Sequence, residues 1–330
     1  MSRYVSIPLF FFIVSLVTAN NSYSQCCSTG SPVGASVYVG VLSRNTLRVV
    51  GYYRYNYSDT YFQGSQKTDE NTALKYASYN FSGIGFGYGI TKRLTLEADF
   101  GYFFNKTQQF NDIISEADSV NHGMVKGYGL SNGGLTVKYG AYVKPASQLE
   151  ITLGAGFRYP FSTNPQMVDG VQLNRDVQPS TNAFGASGMF FFNKGFPSIT
   201  LRLFSINRYD YNFEGKDGYK YGNILLNSVF VSKKIIKYFF GILQVRSEWK
   251  TNDYDYEKDE KVVNSGFWLW TLSPTLSYSI TGKWNLTALC DIPLYKSYNG
   301  KQMTPKYSFA LSLSRDFNLG RKAKVDILEK

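Results

Sequence analysis

The chain has 330 residues, with 35 Lys and Arg against 24 Asp and Glu (formal net charge +11), and its 17% aromatic residues nearly match its 18% charged ones. This excludes a bundle of apolar transmembrane helices, which needs several runs of about 20 apolar residues; one His and three Cys also leave little for metal or nucleophile chemistry. Abundant Tyr, Phe and Gly suit alternating strands better than helices.

The chain opens with one cation, Arg3, and an apolar stretch from Ile7 to Val17. That stretch has the length of a signal-peptide core and is too short to span a bilayer with margin. Residues 1–24 read as a signal peptide cleaved before Gln25, with cleavage after Ala19 as the competing site. Export argues against nucleic acid as the partner of the basic charge. Residues 25–44 form a periplasmic leader that either plugs the domain downstream of it or hangs free. Within it, the vicinal thiols of Cys26 and Cys27 suit capture of a soft metal such as Cu(I) or Zn(II). No His or further Cys stands nearby to complete such a site, so oxidation of the pair is the other reading. Tyr23, Ser24 and Gln25 make a poor lipobox ahead of Cys26. No cofactor is expected.

From residue 45 the chain repeats one theme, an alternating segment followed by a turn. In 94–105, Leu94, Leu96, Ala98, Phe100, Tyr102 and Phe104 occupy one face, while Thr95, Glu97, Asp99 and Gly101 occupy the other. Period two is the strand period. The same reading gives strands at 45–57, 76–90, 94–105, 127–143, 148–160, 181–192, 198–211, 221–232, 238–250, 266–280, 284–296 and 306–317. The connections alternate long (58–75, 106–126, 161–180, 212–220, 251–265, 297–305) and short (91–93, 144–147, 193–197, 233–237, 281–283). Antiparallel strands with short turns on one rim and long loops on the other predict an all-β fold: an up-and-down transmembrane β-barrel of about twelve strands, residues 45–317, in the outer membrane of a Gram-negative bacterium. A secreted β-sandwich would also alternate, but it has no use for aromatic residues near both ends of most strands. The short turns carry only cations, among them Lys92, Arg93, Lys144 and Lys283, whereas acids outnumber cations in the long loops. Residues 318–330 form a periplasmic tail.

Catalysis finds little support. A Ser–His hydrolase needs an oriented base beside its nucleophile, and the lone His122, with Ser119 nearby, lies in a long loop without such a motif; no enzyme activity is expected. Gly83, Gly85, Gly87 and Gly89 sit inside a strand at spacing two, so they are architecture rather than a dinucleotide loop. Counting alternate positions turns Arg48, Arg54, Glu97, Asp99, Lys138, Glu150, Arg158, Arg202, Gln244, Arg246, Glu248, Lys250, Asp291 and Asp316 into the lumen. Such charges need water or partners. They either brace a closed barrel as paired networks or line a polar channel and set its selectivity. Gln244, Arg246, Glu248 and Lys250 follow one another on one lumenal stripe and form the leading site. The segment from Phe110 to Val120 places apolar residues at helical spacing, which makes the 106–126 loop the expected outer constriction. The acidic run Asp253, Asp255, Glu257, Asp259 and Glu260 reads as a solvated loop or a bridge to lipopolysaccharide through divalent ions.

The leader CCSTGSPVGAS, the segment WNLTALCDIPLY, the loop YNGKQ and the closing YSFALSLSRDF resemble a group of outer-membrane barrels of transporter type. That group is similar to barrels associated with meta-pathway phenol degradation and, more remotely, to fatty-acid-uptake barrels. The chain has no room for the longer hatch and additional strands of the latter, and its tail continues past Phe317. The resemblance implies a barrel passing a small apolar or amphiphilic solute, with outer-membrane lipid and lipopolysaccharide as surroundings. A non-conducting adhesion or binding barrel acting through its outer loops is the alternative.

Overall fold

The computed structural model describes residues 40–69, 73–111, 123–168, 170–280 and 284–320. The signal peptide, the leader through residue 39 with Cys26 and Cys27, most of the 106–126 loop with Ser119 and His122, and the tail from 321 lie outside the described residues.

Eleven continuous strands form the wall: β1 (Thr46–Gly64), β2 (Leu74–Gly89), β3 (Leu94–Phe110), β4 (Gly133–Lys144), β5 (Leu149–Tyr159), β6 (Gly185–Phe196), β7 (Leu201–Asn212), β8 (Ile224–Ile236), β9 (Phe239–Lys250), β10 (Phe267–Ile280) and β11 (Trp284–Asn318). Each pairs antiparallel with the next, and β11 pairs back onto β1, so the sheet closes on itself. Two further strands of the same sheet lie off the ring. Gln66–Thr68 folds back on β1, and Met124–Leu130 extends the wall beyond β4 along the upper part of β3.

The last strand counts double. Nine antiparallel steps from β1 leave β10 running opposite to β1. The first part of β11 is antiparallel to β10 and its second part antiparallel to β1. β11 must therefore reverse, and it does so at Asn299-Gly300, where Gly300 takes φ +76°. A positive φ suits glycine and a tight hairpin. Counted by arms, twelve strands cross the wall. The 297–305 connection, expected to be long, is this two-residue turn, and both flanking strands are longer than the sequence suggested. Tyr61 faces Met303 and Phe62 faces Gln302 across the added ladder. Tyr61, Leu74, Ala77 and Met303 pack together on its inner side, which repays the extension with buried apolar surface. The register shifts around Ser58 and its partner Pro305, a residue that cannot donate to a ladder.

Alternation sets the two faces as the sequence implied. Thr95, Gly101 and Phe103 of β3 are buried inside, while Leu96, Phe100, Tyr102 and Phe104 are exposed outside. Leu153, Phe157, Val229, Leu243, Leu276 and Leu311 extend this exposed apolar belt around the barrel. A water-soluble protein would bury such a belt; an apolar outer face around a polar interior is what lipid demands. On the short-turn rim, Pro145–Ser147 and Pro197–Ile199 are single 3-10 turns, each closed by a left-handed residue, Gln148 at φ 47° and Thr200 at φ 51°.

The wall strands expected at 127–143, 181–192, 198–211 and 221–232 each start three or more residues later than their sequence signal, the first because it is interrupted at 131–132. The segment expected at 181–192 is Gly185–Phe196, and that at 221–232 is Ile224–Ile236. In the 181–192 segment, Ser180 donates to Asn132 Oδ1 at 2.6 Å, which holds 180–183 to the loop. In the 221–232 segment, Gly222 N–H donates to Asp253 at 2.6 Å.

Candidate functional site

The lumen is built at three levels. At mid-height a girdle of polar side chains crosses five neighbouring strand arms. Asp291 accepts hydrogen bonds from Arg54 on β1, Arg246 on β9, Ser273 on β10 and Ser308 on the returning arm of β11. Arg246 Nη2 stands 3.2 Å and Ser308 Oγ 2.9 Å from the same carboxylate oxygen. Arg54 and Arg246 are 7% and 8% exposed, and Asp291 supplies the counter-charge that these two buried guanidinium groups require. Gln244 donates to Ser228 at 3.1 Å just beside this girdle.

Opposite, β3 to β7 carry a second charged group. Lys138 Nζ reaches Glu97 at 2.7 Å, and Arg208 reaches Asp210 at 2.8 Å. Asp99 and Arg158 join neither pair; both line a cavity of about 130 Å³ with Tyr52, Val50 and Arg208. An apolar cluster of Phe191, Phe204, Ile206, Phe230 and Ile242 covers the inner face of β6 to β9, so the interior presents an apolar wall as well as a charged one.

At the short-turn mouth, residues 40–43 run inside the wall as a strap along β5, β3 and β2 before β1 begins. Val41 N–H donates to Glu150 Oε1 and Leu42 N–H to Thr95 Oγ1, at 2.7 and 2.8 Å. Leu42 is buried, and a side chain at Gly89 would strike the carbonyl oxygens of Ser43 and Leu42. Beside the strap, Arg48 pairs with Asp316 through two hydrogen bonds at 2.5 and 2.6 Å. Arg202 lines the adjoining cavity of about 410 Å³.

At the long-loop end, the connection between β5 and β6 turns inward. Its turn Arg175–Val177 carries buried Asp176 and Val177, and Lys106 Nζ donates to the Gln178 carbonyl at 2.8 Å. Arg175 lies over the Tyr219 ring at 3.9 Å and also pairs with Asp217. Burial disfavours the Arg175 charge, but the hydrogen bond and charge of Asp217 outweigh it and hold its pKa above the ordinary value. Burial, reinforced by Asp253, pushes the neighbouring Tyr221 hydroxyl well up. Asp253 in turn takes Tyr219 Oη at 2.8 Å and Lys250 Nζ at 2.7 Å, which ties the next two loops together.

The lumenal positions counted from the sequence fall into these separate groups, and the leading stripe does not act as a unit. Gln244 and Arg246 belong to the mid-height network, Lys250 braces the loop rim through Asp253, and Glu248 stands half-buried between them. Sequence reasoning misses Arg208 and Asp210, although they alternate with Arg202 on the same strand and the same count reaches them. The inward loop 160–184 has no periodic signal to announce it.

No protein-family model matches the chain, and no curated protein matches it. Solved structures do. An outer-membrane channel from Pseudomonas putida F1 is similar with a TM-score of 0.64 at 13% identity, over 87% of this chain and all of that one. Looser likenesses include the translocator domain of the autotransporter NalP from Neisseria meningitidis (TM-score 0.45, 12% identity, 84% of this chain and 90% of that) and the Ralstonia pickettii toluene transporter TbuX (0.40, 9%, 84% and 90%). At 13% identity the first likeness is one of fold, and it agrees with the apolar belt and the closed ladder: the chain has the architecture of an outer-membrane β-barrel.

Proposed function

We propose that this barrel is a passive channel of the Gram-negative outer membrane for a small solute with both apolar and polar parts. The carrying observation is the composition of its inner face, where charged groups share the lumen with the Phe191–Phe204–Phe230 cluster, Glu150 and Arg202 lining one cavity together with Phe191 and Phe204. A solute with one polar end and an apolar body satisfies both walls, because an unpaired lumenal charge favours polar groups while the aromatic patch favours apolar area. The path is narrowed by the 40–43 strap and by the 160–184 loop; most of the 106–126 loop, the outer constriction expected from the sequence, lies outside the described residues. The surrounding partner is outer-membrane lipid, with lipopolysaccharide at the loop rim.

The test is bilayer conductance of the chain from Gln25, with and without residues 25–44. Steady conductance that rises on deletion supports a strap-narrowed channel. Silence in both, from protein shown to be folded and inserted, removes the channel reading and favours a binding barrel acting through its tied outer loops.

A further inference from the structure

One row of residues runs across five neighbouring strands at a single register. Asp99 on β3 pairs with Gly134 on β4, Gly134 with Arg158 on β5, Arg158 with Gly185 on β6, and Gly185 with Asn212 on β7. The two charged residues are thus separated by a strand that offers only glycine. Asp99 lies over Gly134, where an added Cβ would come within 2.6 Å of its Oδ1, and Arg158 lies over Gly185, where a Cβ would come within 2.9 Å of its Nη2. Both side chains therefore lean the same way around the barrel and do not meet. Arg158 is held in that pose by Asn212 Oδ1 at 2.8 Å. Among the described residues neither makes an ion pair, although Lys138 with Glu97 and Arg208 with Asp210 do so close by. The cavity of about 130 Å³ opens beside both groups. That is room for a small solute rather than a single water.

Resting on the channel reading, we infer that this cavity is a binding seat for a small zwitterion carrying adjacent ammonium and carboxylate groups, the α-amino acid class. Strands lie about 4.8 Å apart, so two steps separate the anchors of Asp99 and Arg158 by about 10 Å. Charge-assisted hydrogen bonds of about 2.8 Å at each end, with about 2.5 Å between ammonium nitrogen and carboxyl carbon and about 1.2 Å more to the carboxylate oxygen, give a ligand reach of about 9 Å. The ammonium faces Asp99 and the carboxylate faces Arg158. A plain carboxylate or a plain amine leaves one of the two lumenal charges without a partner. Tyr52 and Val50 on β1 receive the apolar side chain across the cavity.

The experiment is calorimetric titration of the folded chain from Gln25 in detergent with L-leucine, 4-methylpentanoate and 3-methylbutylamine. Leucine is expected to bind at least tenfold tighter than either half-ligand. Asp99→Asn should abolish its advantage over the carboxylate, and Arg158→Gln its advantage over the amine. Gly134→Ala, which displaces the Asp99 carboxylate, serves as a second variant should Asp99→Asn fail to fold, as judged by heat-dependent gel migration. Equal binding of all three ligands, no binding, or leucine affinity unchanged in the folded variants overturns the seat. Bilayer conductance on the same preparation separates the two readings. Conductance without leucine binding removes the seat and keeps the channel, whereas leucine binding without conductance keeps the seat and removes the channel.

Discussion

Arg54 and Arg246, on strands β1 and β9, grip one and the same oxygen, Oδ2 of Asp291. The two strands are separated in the ring by β10 and the two arms of β11, so this single carboxylate fastens the region where the barrel closes. Removing it strands two buried guanidinium groups. Asp291→Ala is therefore expected to destabilise the folded barrel by about 3–5 kcal/mol, the range for breaking a buried ion pair from one side. Asp291→Asn, which keeps an acceptor, should fall between. Denaturant unfolding followed by tryptophan emission measures both, and an unshifted midpoint for Asp291→Ala would show that the girdle contributes nothing to closure.

The strap at the short-turn mouth rests on few contacts, and Glu150 supplies one of the strongest. Glu150→Ala and Gly89→Val, the latter colliding with the Ser43 carbonyl, should each raise single-channel conductance several-fold toward that of the chain lacking residues 25–44. Conductance equal to wild type in both variants would mean that the strap does not limit the path.

On the opposite rim, Arg175 joins the inward loop to its neighbour by stacking on Tyr219 and pairing with Asp217. Arg175→Ala should loosen the 160–184 loop at a cost of about 1–2 kcal/mol, the pair being partly screened by solvent. Limited proteolysis of intact cells or liposomes is the readout, with faster cleavage confined to that loop. Unchanged cleavage would place the loop's anchorage in Lys106 and Gln178 instead.

The outer belt makes its own prediction. Leu153 is exposed outward and its neighbour Thr152 is buried inward. Leu153→Arg should cost about 2–4 kcal/mol near the bilayer midplane and less near either rim. The same unfolding assay in lipid reads it, and a neutral result would contradict lipid contact at β5.

Much of this was legible before any tertiary structure. Period two is a property of the extended backbone, so inner and outer faces of β3, β5 and β10 follow from their residues alone, as does the inward direction of Asp99, Arg158 and Asp291. Long and short connections then implied a closed antiparallel wall, except at Asn299-Gly300, where pairing between β1 and β11 absorbed an expected loop into strand. What the sequence by itself determined is therefore which side chains face the lumen. Only the tertiary structure decided which of them meet. The joining of Asp291 to Arg54 and Arg246, the separation of Asp99 from Arg158 by Gly134, and the inward turn of Arg175–Val177 all depend on strand register and ring closure. Those are set by contacts between residues distant along the chain, which no local periodicity records.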